Sequence, residues 1–417
     1  MVRLALLTAT IAAAFVAIYL FAHRSPTTIS PTATGPIATT PPVWTMAPPD
    51  SNWQRLVQRY ADFLHRAIAR GLAPGAAVVI VKDSTLIFLK GFGLRDTGTG
   101  DSTTPHTVFR LGSVSKPVAA TLMARLVQQR KLAWTTPVTS VLPNFRLRNP
   151  AYTNSLQLRH LLSHTTGLPY HAYTDRLDDG AEFDTLVYHL RDVPLIGKPG
   201  QFYSYQNVAY SLSAKMAEAT LHMPFARVLR QHLFDVFGMT DASADYSSIL
   251  MAPDRALPHT KQGDSWVPLP LASTYYNAGP AGGVNASAYD MGRFLLQFTS
   301  PVTLLPDTLR QQLFEPRVKA TSRNGNFRRW KRTRQSYYGL GWRLLYFKND
   351  TLYYHGGYVN NFRAEVALHP ETSLGICVLV NSPGPLADMA LPEFFKLYDE
   401  LIPLVSRART AAIHAHK

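Results

Sequence analysis

One cysteine in 417 residues rules out an intramolecular disulfide. That residue, Cys377, lies in the apolar run SLGICVLVNS and reads as a small packed thiol in a buried strand, not as a nucleophile. The 14 histidines contain no His-Glu-x-x-His pair, and no glycine-rich phosphate loop follows a strand-like segment. No metal and no cofactor is therefore expected. Acids are scarce, with 27 Asp and Glu against 42 Lys and Arg and a net charge of +15. Part of the excess is concentrated at 317–334, where Arg317, Lys319, Arg323, Arg328, Arg329, Lys331, Arg332 and Arg334 occur without one acid. The stretch reads as a solvated loop or as a contact with an anionic surface. No internal repeat is visible.

The apolar run at residues 4–22 is uncharged and long enough for a membrane span, and Arg3 precedes it. It reads either as an anchor or as the core of a signal peptide. Bulky Tyr19, Leu20 and Phe21 leave no small-x-small cleavage site, which favours the anchor. Residues 1–24 are thus taken as the anchor or signal segment. Residues 25–52, rich in Pro, Thr and Ala, are taken as an extended linker. Such a tether places the rest of the chain outside the cytoplasm, which argues against a nucleic-acid partner.

Residues 53–403 carry the fold, and 404–417 form a basic tail. NWQRLVQRYADFLHRAIARGL has an apolar stripe at Leu56, Tyr60, Phe63, Leu64 and Ala67, and Gly71 closes it as a helix. GAAVVIVKDSTLIFLKGFGLRD reads as a β-hairpin turning at Asp83-Ser84. Strand-like runs recur around 352–355, 362–368 and 374–380, and the helix LPEFFKLYDELI ends the domain. Strands at both ends of the chain predict an α/β fold with one antiparallel sheet flanked by helices. The α/β lobe is expected at about 53–115 and 336–403, and a mostly helical second lobe at about 116–335.

The segment FRLGSVSKPVAATLMARLVQQRKLAW places Ser113 and Lys116 three residues apart. At i and i+3 the two share one helix face, which brings an amine to a hydroxyl. A serine hydroxyl is a poor nucleophile until a neighbouring base takes its proton. Gly112 punctuates the chain before the helix, Pro117 stands near its first turn, and Val118, Leu122, Leu126 and Val127 supply helical periodicity. Ser113 therefore sits at a helix N-terminus, where free N–H groups favour developing negative charge.

Two further signals follow in order, Tyr205-Gln206-Asn207 in PGQFYSYQNVAYSL and His355-Gly356-Gly357 in LYYHGGYVNNFRAEVALHP. With LQLRHLLSHTTGLP and YNAGPAGGVNASAYDMGRFLL among them, the chain resembles the β-lactamase-related serine hydrolases from about Trp53 to about Ile402. That family includes class C β-lactamases, low-molecular-weight penicillin-binding proteins, D-aminopeptidases and esterases. The resemblance implies a two-lobed fold with the site between the lobes. It implies Ser113 as nucleophile, Lys116 and Tyr205 as a coupled base, and Asn207 holding Lys116 and the substrate amide. It also implies an oxyanion hole from the backbone N–H groups of Ser113 and Tyr358, with Gly356 and Gly357 admitting the substrate backbone. Lysine and phenol, with ordinary pKa values near 10, are each expected to stabilise the other's reactive form.

His355 stands where many penicillin-recognising relatives carry the lysine of Lys-Thr-Gly. It is expected to face the substrate and to gain charge as pH falls through about 6.5. His164 is expected to be structural, and His160 to belong to the core or the surface. The expected function is an exported, membrane-tethered hydrolase acting through an acyl-enzyme on amides or esters. D-amino-acid, cell-wall-type peptides lead, and β-lactams or small esters are the alternatives. A penicillin-binding sensor that acylates without turnover is the alternative of another class.

Overall fold

The computed structural model describes residues 45–46, 50–320, 330, 333–348 and 350–402. Helix α1 (Ser51–Ala69) opens on Asp50, whose carboxylate accepts the N–H groups of Asn52 and Trp53, and the chain leaves it through Gly71 at φ +66°. Strands β1 (Gly75–Lys82) and β2 (Thr85–Asp96) form the hairpin expected at Asp83-Ser84, with Asp83 at φ +52°. A largely helical region follows, including α2 (Ser115–Gln128), α3 (Asn207–Leu221) and α4 (Ala288–Thr299). The chain returns to the sheet through β3 (Gln335–Tyr338), β4 (Arg343–Tyr346), β5 (Thr351–Val359), β6 (Phe362–His369) and β7 (Leu374–Val380), and α5 (Leu386–Leu401) closes it.

The sheet order is β2-β1-β7-β6-β5-β4-β3, and all of these pairs are antiparallel. Thr45–Met46 adds in parallel beside β2, and Val318–Lys319 extends the other edge beside β3. The seam between the two chain ends is β1 on β7, with Val79 opposite Cys377. Both faces of this seam are buried, which explains its unbroken apolar runs. Ala77, Val79 and Val81 enter the core shared with the helical region, whereas Ala76, Val78 and Ile80 enter the core under α1 and α5. Cys377 is a buried free thiol, as its setting in the sequence indicates.

Helix α5 begins at Leu386, five residues before the expected start at Leu391, and runs through Pro392. Proline favours a helix start but only by a local preference. Burial of Leu386, Ala387 and Ala390 against the sheet outweighs it.

The expected membrane tether is corrected. Among the described residues no helix is long and apolar enough to cross a membrane. The longest described helix, α1, is amphipathic, with Arg55, Arg59 and Arg66 outside its buried stripe. Residues 4–22, on which the expectation rested, lie outside the described residues, as do the linker to residue 44 and the tail beyond 402. Placement in or beyond a cell membrane rested on that tether and falls with it. Most of the basic stretch 317–334 also lies outside the described residues, but Arg317 is seen paired with Glu315 at 2.7 Å.

Candidate active site

The Ser113 turn is pressed backbone to backbone against the end of β5. Gly112–Val114 form a 3-10 turn that runs into α2, with Gly112 at φ +50°. A Cβ at Gly112 would stand 2.8 Å from the backbone N, C and O of Tyr358, and one at Gly357 would stand 2.1 Å from Leu111 O and 3.0 Å from Ser113 N. Glycine is required at both positions by this approach. Gly357 therefore makes room for the Ser113 turn. Pairing of β5 with β4 ends at Arg343 opposite Tyr354, so His355–Val359 are laddered only to β6. Tyr358 is 57% exposed at this strand end.

Ser113 Oγ is held between two side chains. Lys116 Nζ lies 3.1 Å from it and Tyr205 Oη 2.8 Å. Lys116 is fully buried on α2, and its Nζ also meets Asn207 Oδ1 at 2.9 Å and Ala281 O at 2.8 Å. Burial, reinforced by the charge of Arg343, holds this amine well below its ordinary pKa. A neutral amine has two N–H donors and one lone pair. When the amine is neutral, the two carbonyl oxygens take its donors and the lone pair faces the Ser113 hydroxyl.

Tyr205 moves the other way from the sequence-based expectation. Burial pushes its phenol up to about 12, against the opposing effects of Arg343 and the Ser113 hydrogen bond. It is therefore a protonated donor near neutrality. Tyr205 O–H donates to Ser113 Oγ, and with Lys116 neutral the Ser113 O–H in turn donates to Lys116 Nζ.

Asn207 begins α3, and its Oδ1 accepts from Lys116 Nζ. His164, buried at φ +56°, packs its ring against that of Tyr205, tilted by 35° with centroids 4.3 Å apart, and its Nδ1 accepts the Gln206 N–H at 3.1 Å. It thus supports the Tyr205–Asn207 turn, in keeping with a structural role. His160 is half-buried and accepts the Gln157 N–H.

Ser113, Tyr205, Asn207, Gly356, Gly357 and Tyr358 line one cleft of about 770 Å³. His355 does not join them. Its ring is fully buried, with Nε2 3.1 Å from Tyr338 Oη and Nδ1 3.0 Å from Gly356 O. Burial first, then Arg343 and Lys116, hold it well below the ordinary imidazole pKa. A neutral ring donating from Nδ1 and accepting at Nε2 satisfies both bonds. The expected charge gain near pH 6.5 is thereby removed. The ratio of kcat/KM for a carboxylate-bearing substrate over a neutral ester is accordingly expected to show no step between about pH 8 and 5.5. A rise centred near 6.5 that disappears in His355→Gln would refute this.

Buried neutral histidines also tie stability to pH. His164 and His355 are both fully buried and held well below their ordinary value of 6.5. Below that value the unfolded chain binds protons that the folded chain does not, so stability falls as pH falls from 6.5 towards the folded pKa. Each such imidazole contributes a slope of about 1.4 kcal/mol per pH unit in that window. Tm measured from pH 7 to 5 is expected to fall, and His355→Gln to flatten the slope.

Sequence reasoning missed Arg343. It lies on β4, buried, with its guanidinium 5.7 Å from the centre of the Tyr205 ring. Its charge acts on Lys116, Tyr205, His164 and His355 together. The only sequence signal is a charged residue beginning an otherwise apolar strand, RLLY.

Antiparallel sheet, helical region and the Ser-Lys-Tyr cluster between them define a serine hydrolase of the β-lactamase-related type. The sequence profile of the Beta-lactamase family matches residues 55–396, and the chain belongs to that family. Protein flp of Staphylococcus aureus (strain NCTC 8325 / PS 47) is 21% identical over 329 residues, which cover 78% of this chain and 63% of that protein. The match thus spans less than two thirds of that relative. Among solved structures, the octameric penicillin-binding protein homologue from Pyrococcus abyssi superposes with a TM-score of 0.70 at 22% identity, covering 83% of this chain and 79% of its own. EstCE1, a hydrolase with promiscuous acyltransferase activity, gives 0.68 at 18% identity over 82% of this chain and 98% of its own. Both likenesses concern the fold.

Proposed function

We propose that the protein hydrolyses ester or amide bonds through an acyl group on Ser113. The observation that carries this reading is Ser113 Oγ placed 3.1 Å from a buried lysine amine and 2.8 Å from a tyrosine hydroxyl. Lys116 takes the Ser113 proton as Oγ bonds to the substrate carbonyl carbon. The carbonyl oxygen gains negative charge, which the N–H groups of Ser113 and Tyr358 stabilise at the head of the Ser113 turn. When the bond to the leaving group breaks, that group takes a proton from Tyr205, and the Lys116 ammonium restores it. Water then repeats the sequence on the acyl-serine, releasing the acid. Asn207 holds Lys116 and offers its amide to the substrate.

The charges of the cleft favour substrates without a carboxylate. Its two guanidiniums are buried or engaged, since Arg343 is 3% exposed and Arg363 is bonded to Glu365 and Asp388. Asp178 and Asp388 are the more exposed charges. Neutral esters are therefore the first class to try. A fluorophosphonate should add once, and digestion should map the adduct to Ser113. A short-chain nitrophenyl ester should then be turned over faster than a penicillin or a D-Ala-D-Ala peptide. An adduct on another residue would overturn the mechanism, and faster turnover of the carboxylate-bearing substrates would overturn the order.

A further inference from the structure

Arg110 is fully buried, and the acyl chemistry above gives it no task. A buried cation is costly unless its donors are paired; both Nη groups of Arg110 are paired, while its Nε has no partner among the described residues. Here one guanidinium joins three segments. Nη1 donates to Ala272 O at 2.8 Å and to Asn360 Oδ1 at 2.9 Å, and Nη2 donates to Thr274 O at 2.6 Å. Its face lies 4.4 Å from the centre of the Tyr276 ring. The hydroxyl of Thr274 donates to the same Asn360 Oδ1 at 3.0 Å.

The positions of these partners matter more than their number. Arg110 lies three residues before Ser113, on a short strand paired with Asn285–Ala286. Asn360 lies two residues after Tyr358, at the head of the hairpin joining β5 to β6. That head is a two-residue turn with both residues left-handed, Asn360 at φ +42° and Asn361 at φ +63°. The strand end before it has no ladder on the β4 side. Thr274 and Tyr275 line the same cleft as Ser113 and Asn207.

We propose that Arg110 is a positioning residue that fixes the spacing between the Ser113 turn and the strand end carrying Tyr358, by binding Asn360 at the hairpin head. The inference rests on the acyl-serine reading and on oxyanion donors at Ser113 and Tyr358. A planar fork with fixed donor directions transmits such a spacing, whereas a flexible ammonium does not. Misplacement of a donor acts on the charged tetrahedral species more than on bound substrate. Its loss is therefore read in kcat before KM.

The test centres on Asn360→Gly, which keeps the positive φ and removes only the acceptor. With a nitrophenyl ester, kcat is expected to fall about 10-fold while KM stays within about twofold. Asn360→Asp retains the acceptor at a residue that tolerates this backbone, and is expected to stay within about threefold of the wild type. Arg110→Lys should lower kcat at least as far as Asn360→Gly. The double variant should lose no more than about twofold beyond Arg110→Lys, because both changes break one contact. A kcat for Asn360→Gly within about twofold of the wild type, or losses that multiply in the double variant, would overturn the clamp. Fluorophosphonate labelling of the wild type separates the two levels. Labelling at Ser113 with an unaffected Asn360→Gly rejects the clamp alone, and no labelling at Ser113 rejects the acyl-serine reading and the clamp with it.

Discussion

Ser113→Ala is expected to lower kcat by on the order of 10⁵- to 10⁶-fold and to abolish the fluorophosphonate adduct, the scale seen when a serine nucleophile is removed from a coupled catalytic set. Ser113 Oγ is the atom on which the site converges, since Lys116 and Tyr205 both point to it and share no other hydrogen-bond partner among the described residues. Alanine preserves the turn, because the constraint there is backbone approach at Gly112 and Gly357 and not the serine side chain. Tm should therefore be nearly unchanged, and binding of a substrate analogue should persist. Intact mass, turnover and Tm measured on one preparation check all three. An adduct that survives the substitution would remove Ser113 from the chemistry.

Lys116→Ala and Tyr205→Phe are expected to lower kcat by about 10³- and 10²-fold, within the range typical of general acid–base groups. Their effects should not multiply, because both act on the same proton. The double variant is expected to lose little more than Lys116→Ala alone. Multiplicative losses would mean that the two residues act independently. The pH profile carries a second check. Only the neutral amine accepts the Ser113 proton, so activity should fall as pH falls through the pKa of Lys116. Burial and Arg343 depress that pKa, so the wild-type fall should lie well below the ordinary lysine value of about 10.4. Replacing Arg343 with methionine should move the fall to higher pH, because a positive neighbour that disfavours protonation is gone. Lys116→Ala also leaves Asn207 Oδ1 and Ala281 O without this donor in a buried setting, so some loss of Tm accompanies it.

The Ser113–Lys116 pair was legible because its spacing is local. Three residues of helical or 3-10 backbone bring the two side chains together whatever the rest of the chain does. The same holds for the seam of the sheet. The apolar runs of β1 and β7 have the length and turn signals of buried strands, and their place at opposite ends of the sequence already implies a sheet closed by both termini. The tethering role assigned to residues 4–22 had no such support, since apolarity and length describe a run without showing what it packs against.

The sign of the Tyr205 shift, the place of His355 and the presence of Arg343 were decided by the tertiary structure. Lysine beside tyrosine suggests mutual activation, but burial of both outweighs their attraction, and it drives the amine towards neutral and the phenol towards protonated. The order His-Gly-Gly names three neighbours without saying which of them meets the cleft. Close packing of Tyr338 and the Gly356 carbonyl around the imidazole puts the ring in the interior, while the glycines and Tyr358 reach the cleft. Arg343 lies 227 residues from Lys116 in the chain, at the start of a strand of ordinary composition. Electrostatic effects depend on distance in space and on exclusion of water, and neither is a property of spacing along the sequence.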